Sequence, residues 1–179
     1  AFTIACTSDA AGDAGLRWLI EAAHWIPMDL PIHFLIVTPA SEHERLRRVI
    51  RKMPFTQRFH LCDRVDRAPG LVGSSSVAVL TDWGSELQRR ACMQSLALGV
   101  PVFGVDTNAI ARVIRPEVNG QLFSHNSPEP LARSLYDLYE NPEHRRMLSD
   151  GAKRSARDRP SMTEHLLKLR GLFESAHAT

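Results

Sequence analysis

Short apolar runs bounded by turn residues alternate along the chain with longer stretches whose apolar residues recur every three or four positions. That alternation is the signature of a parallel sheet with crossover helices. The first strand is predicted over Phe2 to Cys6, and a helix from about Ala14 to Trp25 follows, with Leu16, Leu19, Ile20 and Ala23 on one face until Pro27 and Pro31 stop it. His33 to Val37 is the second strand. Pro39 and Ser41 open a helix in which Leu46, Val49, Ile50 and Met53 form the buried face, and Arg45, Arg47, Arg48, Arg51 and Lys52 point outward. A third strand lies near Phe59 to Leu61, and a short connection leads to Val77 to Leu80, an unbroken apolar run suited to a strand covered on both faces.

Beyond it a helix from about Leu87 to Ala97 ends at Gly99, and Pro101 leads into the strand Val102 to Val105. Gln121 to Phe123 forms a last short strand, after which the chain reads as helical. Ser127-Pro128-Glu129 and Asn141-Pro142-Glu143 each set a capping side chain before a proline and an acid, and Ser161-Met162-Thr163-Glu164 is a capping box. Helices are therefore expected over about 128–140, 142–156 and 162–176. The expected architecture is one Rossmann-like α/β/α domain over 1–179 with a mainly parallel sheet, closed by a helical segment over 127–179.

Composition changes this picture little. With 44% hydrophobic and 23% charged residues in 179, the chain can bury an ordinary core. A formal net charge of only +2, with the arginine run interleaved with aliphatics, argues against nucleic acid as a partner. Cys6, Cys62 and Cys92 are odd in number and widely spaced, so neither a disulfide framework nor a zinc site is expected, and a reducing, cytoplasmic compartment fits. No apolar run approaches the roughly 20 residues that span a bilayer.

Residues 74–176 resemble the donor-binding half of the retaining GT-B glycosyltransferases. Four features carry the resemblance in order: a strand ending Leu80-Thr81-Asp82-Trp83, a glutamate-led helix ending Ser95 to Val102, the stretch Ile110 to Gly120 closing on Val118-Asn119-Gly120, and the paired helices around Pro130-Leu131-Ala132 and Asn141-Pro142-Glu143. Over 1–73 the resemblance is architectural. It implies a nucleotide-diphosphate sugar held beyond the carboxyl ends of the strands and an acceptor bound mainly on an N-terminal domain that this chain lacks. It implies no metal in the donor site and no cofactor other than that substrate. One half alone is expected to be inactive, because catalysis needs the diphosphate stabilised while an acceptor hydroxyl is held at the anomeric carbon.

The resemblance also assigns residues. The family's glutamate, seven residues, glutamate motif falls on Glu86 and Gln94, so Glu86 would contact hydroxyls of the transferred sugar and Gln94 the ribose; Ser85 and Leu87 would flank Glu86 in the donor site. Glu86 is the best candidate for a catalytic group, although none is assured, and a first-turn acid favoured by the helix dipole is its bland reading. Several positions depart from the family pattern. Leu87 replaces a glycine, Asn108-Ala109 a glycine pair and Arg112 a glutamate. Setting Gly15 against the glycine of the first helix puts Ala14 where the family has a lysine and Asp9 near its arginine, with Asp13 adjacent. That loop is net acidic, so Arg89 and Arg90 are the remaining candidates for diphosphate contacts.

Other chemistry is weaker. Ser74-Ser75-Ser76 lacks the surroundings of a nucleophile elbow, and His43-Glu44 lacks the second histidine of a zinc motif. A phospho-receiver would need clustered acids after the first strand and a lysine after the fifth. Three readings stay open: the donor half of a glycosyltransferase, a catalytically degenerate relative serving as a scaffold or protein-interaction module, and another Rossmann-like binding module, which would lack a glycine-rich fingerprint.

Overall fold

The computed structural model describes residues 1–7, 13–63, 68–81, 86–107, 110–124, 128–158 and 170. Six strands, β1 (Phe2–Thr7), β2 (Ile32–Val37), β3 (Phe59–Cys62), β4 (Val77–Leu80), β5 (Val102–Val105) and β6 (Gly120–Phe123), form one sheet in the order β3-β2-β1-β4-β5-β6. Every pairing is parallel. This is the doubly wound order, with its reversal between β1 and β4. The helices are α1 (Asp13–Ala23), α2 (Ala40–Ile50), α3 (Ala68–Gly73), α4 (Glu86–Ala97), α5 (Glu129–Glu140) and α6 (Pro142–Arg157).

The two-residue period of the strands divides the core. Phe2, Ile4, Cys6, Val77, Val79, Phe103 and Val105 face one side, where α1, α2 and α5 supply Leu19, Leu46 and Leu135. Ala5, Ala78, Leu80 and Val102 face the other, covered by Val72 of α3, Leu96 of α4 and Ala152 of α6. The three layers anticipated from the pattern are present, and the expected 162–176 helix lies, apart from Arg170, outside the described residues. One element was not anticipated: the short connection before β4 contains α3. Its six residues, Ala-Pro-Gly-Leu-Val-Gly, are too few to display a helical period. Proline at its second position and the hydroxyls of Ser74 and Ser75, which donate to the Leu71 carbonyl, satisfy its ends instead.

Of the capping signals, the one at Asn141 is borne out, whereas α5 begins at Glu129 with Pro128 at the cap position and no side-chain cap bond, and Ser127 and Ser161 lie outside the described residues. Asn141 accepts from the backbone N–H of His144 at 3.0 Å and opens α6. Gly99 ends α4 at φ 76°, with Gly99 N donating to Leu96 O and Val100 N to Ser95 O, the paired bonds of a left-handed helix terminus.

Two buried polar residues tie loops to this frame. Arg58 is 3% exposed, donates to the carbonyls of Ile32 at 2.8 Å and Pro27 at 3.3 Å, and lies against the rings of Phe34 and Phe55. Burial pushes its pKa down while Asp29 opposes the shift. Asn119, fully buried, accepts from Arg115 N at 2.7 Å and donates to Val113 O and Ser155 Oγ. It thereby fixes the segment before β6 to α6, whose Gly151 meets the Val118 carbonyl so closely that a Cβ there would lie 1.8 Å from the oxygen.

Candidate functional site

In a doubly wound sheet, ligands bind beyond the carboxyl ends of the strands where the order reverses, because there the connections diverge and leave a crevice. Here β1 ends at Thr7 and β4 at Leu80, paired to each other in register. Thr81, buried, continues from β4 and forms the floor with Cys6, whose Sγ lies 3.6 Å from Thr81 Oγ1. The first turn of α1 closes onto this floor. A Cβ at Gly15 would fall 1.6 Å from the Thr81 carbonyl oxygen, so only glycine lets the helix approach so near. α1 and α4, beginning at Asp13 and Glu86, present their N-termini at this edge of the sheet, and helix N-termini carry unsatisfied N–H donors and partial positive charge suited to an anion.

Of the residues predicted for the site, Ser85, Asp9, Asn108 and Ala109 lie outside the described residues. Glu86 and Leu87 are described as the opening of α4 but not in their side chains; the same holds for Ala14 in α1. Arg89 and Arg90 follow on the first turns of α4, and Gln94 lies two turns on; all three are exposed. Gln94 follows Glu86 by eight positions, which is about 12 Å along a helix axis. Arg112 is exposed in the turn after β5, where Thr107 Oγ1 accepts from Ile110 N at 3.5 Å.

Sequence reasoning overlooked the parts of the floor that carry no charge. Cys6 and Thr81 read simply as strand residues, and only the close approach of Gly15 reveals what they support. Thr38, buried at the end of β2, has a hydroxyl without a hydrogen-bond partner among the described residues. No local pattern could have singled it out.

Burial pushes the Cys6 thiol up to about 12, against a smaller opposing effect of its contact with Thr81. The thiol is therefore neutral at physiological pH and unfit as a nucleophile. Cys92 is also buried, whereas Cys62 is partly exposed. A disulfide-exchange reagent is expected to modify Cys62 alone in the native chain and the other two only after unfolding; rapid native reaction of all three would contradict this packing. Since the folded pKa of Cys6 lies above the ordinary 9.0, its contribution to stability is complete below pH 9 and is lost as pH rises from there through 12. Elsewhere, His33 Nδ1 and His60 Nε2 lie 3.0 Å apart across β2 and β3, and burial together with the neighbouring His60 and Arg58 holds the His33 pKa down. Among the described residues no three histidine, cysteine or carboxylate side chains gather into a metal site, and no helix is long and apolar enough to cross a membrane.

The profile of the family described as Glycosyl transferases group 1 matches residues 1–141. Curated protein sequences give no match. Among solved structures, the chain is similar to a mutant of TarM from S. aureus, in complex with fondaparinux, alpha-GlcNAc-glycerol and UDP, with TM-score 0.83 and 16% identity over 96% of this chain and 35% of that one. It is similar to HepE of Anabaena in complex with UDP, with TM-score 0.81 and 17% identity over 97% of this chain and 49% of that one. It is also similar to the C-terminal domain of LpcC from Francisella tularensis, with TM-score 0.76 and 13% identity over 90% of this chain and 87% of that one. The chain thus spans about a third of the TarM chain and about half of the HepE chain.

Proposed function

The chain belongs to the glycosyl transferases group 1 family, and on that premise we propose that it is the donor-binding half of a two-domain GT-B glycosyltransferase. In this reading a nucleotide-diphosphate sugar lies at the β1/β4 reversal and a separate N-terminal domain supplies the acceptor. The observation that carries the reading is the seating of Gly15 on Thr81, which brings the first turn of α1 to the ends of β1 and β4 and leaves a helix N-terminus facing the crevice. UDP in HepE and TarM, proteins of the same fold, supports a uridine nucleotide as the first ligand to try. Glu86 would accept hydroxyl protons of the sugar. Gln94, an amide in place of a carboxylate, would accept one ribose hydroxyl and donate to another. Ser85 and Leu87 would border the sugar, and Arg89 or Arg90 would offset charge on the diphosphate.

A second reading is favoured by the acids and missing cations in the sequence from the end of β1 into the start of α1. With Ala14 and Asp9 where lysine and arginine stand in active relatives, charge on a departing diphosphate is poorly balanced, and losing such contacts costs orders of magnitude in rate. The domain would then be a catalytically degenerate scaffold that docks another protein.

Isothermal titration of UDP, GDP and ADP and their sugar conjugates into the chain at low salt separates the two. Saturable binding that weakens about tenfold or more in Glu86→Ala, and measurably in Gln94→Ala, is expected for a live donor site. The double variant Asp9→Arg with Ala14→Lys should tighten it. No heat for any ligand in a folded sample, with no gain in the double variant, would overturn the donor reading in favour of the scaffold.

A further inference from the structure

At the opposite, amino edge of the sheet lies a corner that the donor reading does not use. Trp25 and Met28, at 60% and 59% exposure, stand among the most exposed large apolar side chains described. They sit in the connection from α1 to β2, beside the segment that leads from α2 to β3: the rings of His24 and Phe55 meet at 5.0 Å, and Arg58 donates to the carbonyl of Pro27. α2 and the residue pair after it bring five cations against two carboxylates, Glu42 and Glu44. Arg45 pairs with Glu42, whereas Arg47, Arg48, Arg51 and Lys52 are exposed and form no ion pair among the described residues. Between α1 and α2 runs a groove of about 210 Å³ with an apolar floor of Ile20, Val49 and Met53, edged by Arg17, Glu21 and Lys52.

We propose that this corner, Trp25 and Met28 together with Arg47, Arg48, Arg51 and Lys52, docks the chain on the surface of an anionic lipid bilayer. Each part of the arrangement matches one layer of that partner. Cations gather at the negative headgroup plane, each contributing about fivefold in affinity near such a surface. The indole is amphipathic and settles at the boundary between headgroup and acyl chain, and the thioether side chain of Met28 adds apolar area below it. A nucleic acid would be served by the cations but gains nothing from an exposed methionine. Glu21 and Asp29 at the rim and exposed Glu44 on α2 are the opposing charges, and the four exposed cations outnumber them. Docking here points the carboxyl-edge crevice away from the membrane, so the proposal stands whether or not a nucleotide binds there.

The test is flotation of the nucleotide-free chain with vesicles of phosphatidylcholine alone and of phosphatidylcholine mixed with phosphatidylglycerol. Binding to the mixed vesicles only, weakened by salt and accompanied by a blue shift of tryptophan emission that Trp25→Phe removes, is expected. Arg48→Glu with Arg51→Glu should reduce it at least tenfold, and Trp25→Ser with Met28→Ser about fivefold, with circular dichroism unchanged because all four positions are exposed. Absence of binding to the mixed vesicles, or equal binding to both kinds, overturns the proposal. So does loss in the arginine variant alone with comparable capture of single-stranded nucleic acid, which would make the corner a general polyanion surface.

Discussion

Gly15→Ala is expected to lower the stability of the chain by about 3 kcal/mol or more, the upper range for forcing an added methyl into a packed interior. The added Cβ would lie 1.6 Å from the Thr81 carbonyl oxygen and 2.5 Å from its carbon, far inside contact distance. What it meets is main chain at the end of a strand paired on both sides, which cannot rotate away as a side chain would. α1 would have to lift, and Leu16, Leu19 and Ile20, all buried, would be drawn from the core with it. Gly70→Ala is the control: nothing lies within 4 Å of its added Cβ, so a change within about 0.5 kcal/mol is expected. Urea midpoints of the two variants decide the matter, and equal losses would mean that α1 does not rest on Thr81 as described. Because Gly15 also shapes the crevice, the proposed donor site adds a second expectation: a surviving Gly15→Ala protein should bind nucleotide less well than its folded fraction accounts for.

Asn119→Ala should cost about 3 kcal/mol by a different route. Its amide completes three contacts at once, and truncation leaves the N–H of Arg115, the carbonyl of Val113 and the hydroxyl of Ser155 without this partner in a buried setting. Ser155→Ala removes only one of the three and should cost about 1 kcal/mol. Asn119→Asp keeps the acceptor for Arg115 but turns an oxygen towards the carbonyl of Val113, so it is expected to be no better than alanine. Denaturant titration of the three variants tests this order; a Ser155→Ala loss as large as that of Asn119→Ala would place the anchor in α6 instead of the amide.

Much of this architecture can be read from the residues because the signals are redundant. Val77 to Leu80 and Val102 to Val105 are apolar throughout, Leu46, Val49, Ile50 and Met53 recur at helical intervals, and Gly99 ends α4 where the pattern stops. Single residues acting at long range are another matter. Arg58 looks in sequence like one more cation after the arginine run, yet it is buried between Phe34 and Phe55, and nothing local distinguishes it from exposed Arg51. Asn119 stands in a segment whose resemblance marks it as a landmark but not as a hydrogen-bond hub. At the candidate site, the resemblance supplied Glu86, Gln94 and Gly15 in order. The floor made by Cys6 and Thr81 follows only from the pairing of strands more than seventy residues apart.

That pairing also bears on how the protein is made. β1 is the first of these six strands to be synthesised but occupies the middle of the sheet, so β2 and β3 can join it on one side while its other edge waits for β4. Between the end of β3 and the end of β4 lie eighteen residues, which take roughly 1–4 s to synthesise at typical rates. During that interval Phe2 to Thr7 presents an unpaired apolar edge, the kind of surface that recruits other strands. The nascent chain would be most exposed to misassembly then, and most in need of a chaperone's cover, well before α5 and α6 arrive to close the core.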